Sequence, residues 1–111
     1  MSQVTTHVLD TALGRPAAGV PVLLERVTPE DADVVLAHGT TDADGRVGEL
    51  GPDHLAAGTY RLRFDTAAYA GATGAATFFP EVVVTFVVEG DAHHHVPLLL
   101  GPFGYTTYRG S

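Results

Sequence analysis

Cysteine, tryptophan and lysine are all missing from this chain of 111 residues. Without cysteine the chain has no disulfide scaffold, no iron–sulfur cluster and no thiolate zinc site. Six arginines stand against thirteen acidic residues, and the resulting formal charge of −7 argues against nucleic acid or an anionic membrane surface as a partner. No apolar run approaches the length of about 18 residues that a membrane-spanning helix needs.

Serine is also scarce, since Ser2 and Ser111 are the only two. No GxSxG pattern is present, which excludes a serine nucleophile on a strand-to-helix elbow. The acidic side chains fall mostly in turns and at strand ends, a distribution that disfavours paired catalytic carboxylates. The first ten residues have neither a charged n-region nor an apolar h-region, so we expect no secretory signal and a cytoplasmic location.

The residues that are present predict a single domain over residues 1–111, with an apolar share of 45 % that is sufficient for a core. Glycine and proline divide the chain into short segments rich in β-branched residues. The predicted strands are residues 4–10, 20–27, 34–41, 58–64, 81–89, 93–100 and 105–109. An alanine-rich segment, residues 66–76, predicts a short helix capped by Asp65 or Thr66. These elements indicate a mainly β fold, an antiparallel β-sandwich of seven to eight strands with one short helix.

Two local patterns bear on strand ends. The run from Asp42 to Gly45 (DADG) resembles the start of a calcium loop but lacks the later oxygen ligands, so it predicts a turn with Arg46 at the mouth of the next strand. Pro97 lies inside a predicted strand although proline cannot donate to a central ladder. It therefore predicts an edge strand or a bulge.

Three consecutive histidines raise the question of metal binding. On a strand, His93 and His95 share one face at a spacing of about 6.5–7 Å, whereas His94 points to the other face. That pair could chelate a metal if a third ligand came from another strand, and it could equally serve as partly exposed strand-end histidines. A metal- or pH-responsive structural protein therefore remains one alternative.

A second group of candidates combines histidine and arginine. It consists of His7, Arg46, His95 and the C-terminal Tyr108, Arg109, Gly110 and Ser111. Taken singly, a strand histidine is usually structural, an arginine beside a turn is usually solvated, and a C-terminal tetrapeptide is usually frayed. Spacing alone does not identify these residues as a site.

Four stretches match the pattern of a known family. They are TTHVLDTALGRPAAGVPV at residues 5–22, HGTTDADGRV at residues 38–47, FFPEVVVTF at residues 78–86 and HHHVPLLLGPFGYTTYRGS at residues 93–111. On these residues the chain resembles the transthyretin-like family and, within it, the 5-hydroxyisourate hydrolases of urate degradation. The terminal YRGS is the most specific element, because it separates the hydrolases from transthyretin, the hormone carrier of the same fold.

The resemblance implies an eight-stranded sandwich with one helix, assembled as a homotetramer, a dimer of dimers with active sites at the dimer–dimer interface. It implies a small purine-derived substrate and no metal or organic cofactor. Carried over by position, the catalytic residues are His7, Arg46, His95 and Ser111, and the substrate-binding residues are Tyr108, Arg109 and Gly110. His94 stands where an aromatic residue is common in the family.

The implied reaction opens the cyclic amide of 5-hydroxyisourate to give 2-oxo-4-hydroxy-4-carboxy-5-ureidoimidazoline, on the path to allantoin. Our hypothesis is that His7 and His95 deprotonate the attacking water and shuttle its proton. Arg46 would hold the planar polar edge of the substrate and stabilise the oxyanion, while Ser111 would orient a histidine or the water. Which histidine is the base and which the acid stays open. The main alternative is a transthyretin-like carrier that binds a small molecule without catalysis.

Overall fold

The computed structural model describes residues 2–30 and 34–111, which form two β-sheets and one helix. Met1 and residues 31–33, which the predicted domain includes, lie outside the described residues. The elements are β1 (Val4–Asp10), β2 (Arg15–Pro16), β3 (Pro21–Arg26), β4 (Val34–Thr40), β5 (Arg46–Val47), β6 (Gly58–Phe64), α1 (Thr66–Thr73), β7 (Val82–Val88), β8 (His94–Leu100) and β9 (Tyr105–Thr107).

The two sheets divide these strands by their hydrogen bonding. The first sheet has the order β2-β1-β8-β9, with β5 also paired to β1, and the second has the order β4-β3-β6-β7. All pairings are antiparallel except that of β1 with β8, which is parallel. β1 and β8 form the centre of the first sheet, and this centre carries the two candidate histidines, His7 and His95.

The core lies between the sheets and follows from strand alternation. In β6 the side chains of Tyr60, Leu62 and Phe64 are buried, while the arginines between them are only partly covered. Val8 of β1 and Leu98 of β8 belong to the same apolar cluster. Burying such aliphatic and aromatic side chains stabilises each by about 1.5–3 kcal/mol relative to exposure, which fixes the inward faces of β1, β6 and β8.

The predicted mainly β sandwich with one helix is confirmed, and all seven predicted strands are present with ends that differ by at most two residues. Two strands of two residues each, β2 and β5, were not predicted. The antiparallel expectation is wrong for one pairing, since β1 and β8 run parallel. Their contact joins residues about 90 positions apart, a separation that no local pattern encodes.

Pro97 lies in a central strand, so the predicted edge or bulge is wrong. β8 has β1 on one side and β9 on the other, and the β8–β9 register is the same at Leu98–Thr107 as at the isolated His95–Gly110 bridge. The ladder between these two points is interrupted, because Pro97 has no N–H to donate.

The helix begins as predicted and ends earlier than predicted. The carboxylate of Asp65 accepts a hydrogen bond of 3.0 Å from the backbone N–H of Ala68, which caps the first turn. The helix stops at Thr73 because Gly74 adopts a left-handed conformation with φ 71° and donates back to the carbonyl of Ala70. Nowhere in residues 2–30 and 34–111 is there a helix with the length and apolar character needed to cross a membrane.

Candidate active site

The outward face of the first sheet is built from β1 and β8. Since Val4, Thr6 and Val8 point into the core, alternation puts Thr5 and His7 on the opposite face. In the parallel register Thr5 is paired with His95, so the two side chains lie on the same face. β8 thus places His95 next to Thr5 and close to His7.

Arg46 is positioned by the turn that precedes it. The carboxylate of Asp42 accepts backbone hydrogen bonds from Asp44 (2.9 Å) and from Arg46 (3.0 Å), which closes the turn. Gly45 has φ 76°, and a Cβ there would lie 2.3 Å from the carbonyl oxygen of Val8. Only glycine permits this approach to β1. The turn then delivers Arg46 to the antiparallel register position beside His7.

The C-terminal tail reaches the same face through Gly110. Its backbone N–H donates a 2.8 Å hydrogen bond to the carbonyl of His95. A Cβ on Gly110 would lie 2.7 Å from Cδ2 of the His95 ring and 3.1 Å from Cγ of Pro97. The tail therefore lies against the imidazole, and the absence of a side chain at residue 110 is what allows it.

One pocket collects three of the seven predicted site residues. It has a volume of about 290 Å³, and Arg46, His95 and Ser111 line it together with Thr5 and His93. These residues come from β1, β5, the start of β8 and the tail, so four separate segments of the chain meet here. His7 does not line this pocket, but it lies beside Arg46 in the register and close enough to His95 to influence its protonation.

Within one chain, the structure does not bring Tyr108 and Arg109 into that pocket. Both line a neighbouring pocket of about 290 Å³ between β7 and β8, which shares His95 with the first. Tyr108 is 55 % exposed, and Arg109 is also exposed. The tail thus passes His95 with Tyr108 and Arg109 on one side and Ser111 on the other.

The electrostatics of the site keep one imidazole neutral. Partial burial lowers the pKa of His95 below its usual value, and the positive charge of Arg46 lowers it further. His7 and His93 act in the same direction because protonation of either would place a second cation nearby. At neutral pH His95 is therefore held as an unprotonated imidazole, the form that can accept a proton.

The prediction that His93 and His95 share a face is confirmed. Their ring centroids are 6.5 Å apart, with the ring planes inclined by 17°. His94 is buried on the core side, and its Nδ1 lies 2.7 Å from the carbonyl oxygen of Ala92. The described part of the chain contains no group of three or more histidine and acidic side chains arranged to hold a metal ion.

Thr5 is the residue of the site that sequence reasoning missed. Its Oγ1 lies 2.8 Å from Nδ1 of His95 and 3.1 Å from Nε2 of His93, so one hydroxyl contacts both imidazoles. Strand alternation alone puts Thr5 on the face of His7, and this was a usable signal. Its partners could not be read from the sequence, because they depend on the parallel register of β1 with β8.

Comparisons with known proteins agree with this architecture. A model of the HIUase/Transthyretin family matches residues 4–110. The 5-hydroxyisourate hydrolase of Caulobacter vibrioides is 47 % identical over 100 % of both chains. The structure of Klebsiella pneumoniae 5-hydroxyisourate hydrolase has a TM-score of 0.86 at 37 % identity, over 97 % of this chain and 98 % of that one. Sparus aurata transthyretin has a TM-score of 0.91 at 34 % identity, over 99 % of this chain and 97 % of that one. The chain belongs to the HIUase/Transthyretin family.

Proposed function

We propose that this protein is a 5-hydroxyisourate hydrolase, which opens the cyclic amide of its substrate during urate degradation. The observation that carries the proposal is the meeting of His95, Arg46 and Ser111 in one pocket, from three separate segments of the chain. A neutral imidazole, a guanidinium and a serine hydroxyl are suited to hydrolysis. Full-length relatives that carry this name support the choice of substrate.

Hydrolysis of the amide needs three contributions from the protein. A base must take a proton from the attacking water, a cation must stabilise the oxyanion on the attacked carbonyl, and an acid must protonate the departing ring nitrogen. We assign the positioning and deprotonation of the water to His7 and His95 together, because an imidazole can both accept and donate at neutral pH. The depressed pKa of His95 favours it as the base.

Arg46 is assigned to the substrate and to the oxyanion. Its guanidinium is always charged and presents a planar fork of donors, which suits the polar edge of a purine-derived ring. Its side chain is exposed at the pocket wall, and no residue in 2–30 or 34–111 forms an ion pair with it that would compete with a ligand. Removing one donor of this kind typically lowers the rate by roughly 10²–10³-fold.

The tail is assigned to positioning and substrate binding. Ser111 lines the pocket and would orient the water or a histidine with its hydroxyl. Gly110 keeps the tail against His95. Tyr108 and Arg109 line the adjoining pocket, from which they would bind substrate only across a shared opening or together with a second copy of the chain.

The assembly that fits this arrangement is a homotetramer, a dimer of dimers with the sites at the dimer–dimer interface. The pocket lies on the outward face of the first sheet, so a second subunit against that face would enclose it. We also propose a single domain over residues 1–111, no metal or organic cofactor and a cytoplasmic location. Sedimentation of the purified protein and cell fractionation test the assembly and the location.

A carrier function is the second candidate, since the fold superimposes equally well on a transthyretin. A carrier would bind a small aromatic molecule on the same face and leave it unchanged. The Arg46–His95–Ser111 group favours chemistry, because binding an apolar ligand does not require a base, a cation and a hydroxyl together.

The test uses 5-hydroxyisourate generated freshly with uricase, followed by its ultraviolet decay with and without the protein. We expect faster decay with the protein, unaffected by chelator, and decay at the spontaneous rate would leave only the carrier. His7→Ala, Arg46→Ala and His95→Ala should each lower turnover strongly without unfolding the chain. His38→Ala is the matched control, because His38 is exposed on β4 of the other sheet.

A further inference from the structure

The hydroxyl of Thr5 stands between two imidazoles, and its hydrogen-bonding capacity restricts their states. Oγ1 lies 2.8 Å from Nδ1 of His95 and 3.1 Å from Nε2 of His93. A threonine hydroxyl has one proton to donate and two lone pairs that accept, so it can donate to only one of the two rings. The protonation of the two rings is therefore coupled through Thr5, because at least one of the two facing nitrogens must carry a hydrogen.

We propose that Thr5 is a positioning residue that holds His95 with its hydrogen on Nδ1, and that the chain from His95 through Thr5 to His93 carries a proton between the site and solvent. This inference rests on the proposed hydrolase function for its catalytic part. With Nδ1–H donated to Thr5, Nε2 of His95 keeps its lone pair, and no hydrogen bond among the described residues occupies that nitrogen. Nε2 is then free to act as the base.

The charges around His95 explain why a relay is useful. Arg46 faces the ring from β5, His7 from β1, His93 from the residue just before β8 and Ser111 from the tail. Of these, the guanidinium is permanently positive and disfavours a second cation on His95. His93 is exposed, so a charge moved to it is solvated by water. The relay therefore moves the proton away from His95, where the guanidinium of Arg46 makes a second positive charge unfavourable.

The proton balance closes over one turnover. As the water attacks, one of its protons goes to Nε2 of His95, and the hydrogen on Nδ1 of the same ring passes to the Thr5 oxygen. The original Thr5 hydrogen passes to Nε2 of His93, and His93 releases its own Nδ1 hydrogen to bulk water. His95 stays neutral and now carries Nε2–H. This hydrogen then goes to the departing ring nitrogen as the C–N bond breaks, while one proton returns from bulk water through His93 and Thr5. The net change is one water added across the amide.

The tautomer is tested without substrate, in protein labelled with ¹⁵N-histidine. We expect the His95 Nδ1 resonance to be that of a protonated nitrogen at neutral pH. This preference for a hydrogen on Nδ1 should be lost in Thr5→Val and retained in Thr5→Ser. A His95 ring that carries its hydrogen on Nε2 in the wild type would overturn the positioning role. This measurement does not depend on turnover, so it stands or fails separately from the hydrolase assignment.

Kinetics test the relay in the full-length protein. Thr5→Val should lower kcat by about 10-fold or more, and by no more than the roughly 10²–10⁴-fold contribution of general acid–base catalysis, with KM little changed. The wild type should show a curved proton inventory in mixed H₂O and D₂O, whereas Thr5→Val and His93→Asn should each show a linear one. Thr5→Ser should recover both the rate and the curvature. Thr40→Val, at an exposed strand position of the second sheet, controls for loss of a β-strand hydroxyl. Turnover in Thr5→Val equal to that of Thr40→Val, with an active wild type, would refute the relay and leave the hydrolase function intact.

Discussion

The sharpest test of the tail is a single added methyl group at Gly110. In Gly110→Ala the new Cβ would begin 2.7 Å from Cδ2 of His95 and 3.1 Å from Cγ of Pro97. Carbon atoms pack best at about 3.5–4.0 Å, so the tail or the ring has to move by close to 1 Å. A misplacement of that size at a catalytic group can lower the rate by about 10²-fold. The main loss of folding stability would come from the hydrogen bond that Gly110 donates to the His95 carbonyl, which contributes about 0.5–1.5 kcal/mol.

The change should therefore affect turnover far more than folding. We expect kcat/KM on freshly generated 5-hydroxyisourate to fall by about 10²-fold, while the free energy of unfolding in urea falls by no more than about 1.5 kcal/mol. Gly104→Ala is the matched control, because a Cβ there meets nothing within 4 Å and the residue has no positive φ. If Gly110→Ala were as active as Gly104→Ala, contact of the tail with His95 would have no part in catalysis.

Three further predictions concern the pKa of His95, the pKa of Tyr69 and the stability of helix α1. Arg46→Met should raise the pKa of His95 and Arg46→Lys should not, as followed by NMR titration of the ring, and an unchanged pKa in the Met variant would contradict the charge effect. The hydroxyl of Tyr69 donates to buried Asp10 at 2.6 Å, and burial with this contact raises its pKa from 10.0 to about 12. The free energy of unfolding should therefore decrease as the pH rises from 10 to about 12, and Tyr69→Phe should abolish that decrease and cost about 1–3 kcal/mol at neutral pH. Gly71→Ala, in the interior of α1 with open space around it, should stabilise the chain by about 1 kcal/mol in urea unfolding, and a loss of stability would show an unrecognised contact.

The strands could be predicted because their determinants are local. In β6 the alternation of Tyr60, Leu62 and Phe64 with arginines specifies both the extended conformation and the buried face. Asp65 likewise marked the start of the helix. The end of the helix was predicted three residues too late, because alanine content extends the pattern past Gly74 and only the left-handed glycine ends it. The short strands β2 and β5 have no periodicity and exist only through their pairing with β1.

The site could be predicted only in part, because its residues are joined by tertiary register. The resemblance supplied His7, Arg46 and His95, and the spacing of the histidines supplied the shared face of His93 and His95. Neither source gave Thr5, whose role depends on a parallel pairing between residues 90 positions apart. A buried hydroxyl with two imidazole partners has no sequence signature of its own, since threonine is common in any strand.

Pro97 connects the fold to the site through the pairing of β8 with β9. A proline in a central strand removes one ladder hydrogen bond, and here the missing bond falls on the side of β9, directly after the Leu98–Thr107 pair. The tail is thereby released from regular pairing for two residues, and Tyr108 stands free of the sheet with more than half of its surface exposed. Pairing resumes only at Gly110, and the final serine then reaches the pocket. Because of this interruption, the side chains of Tyr108 and Arg109 line one pocket, and Ser111 lines the neighbouring pocket.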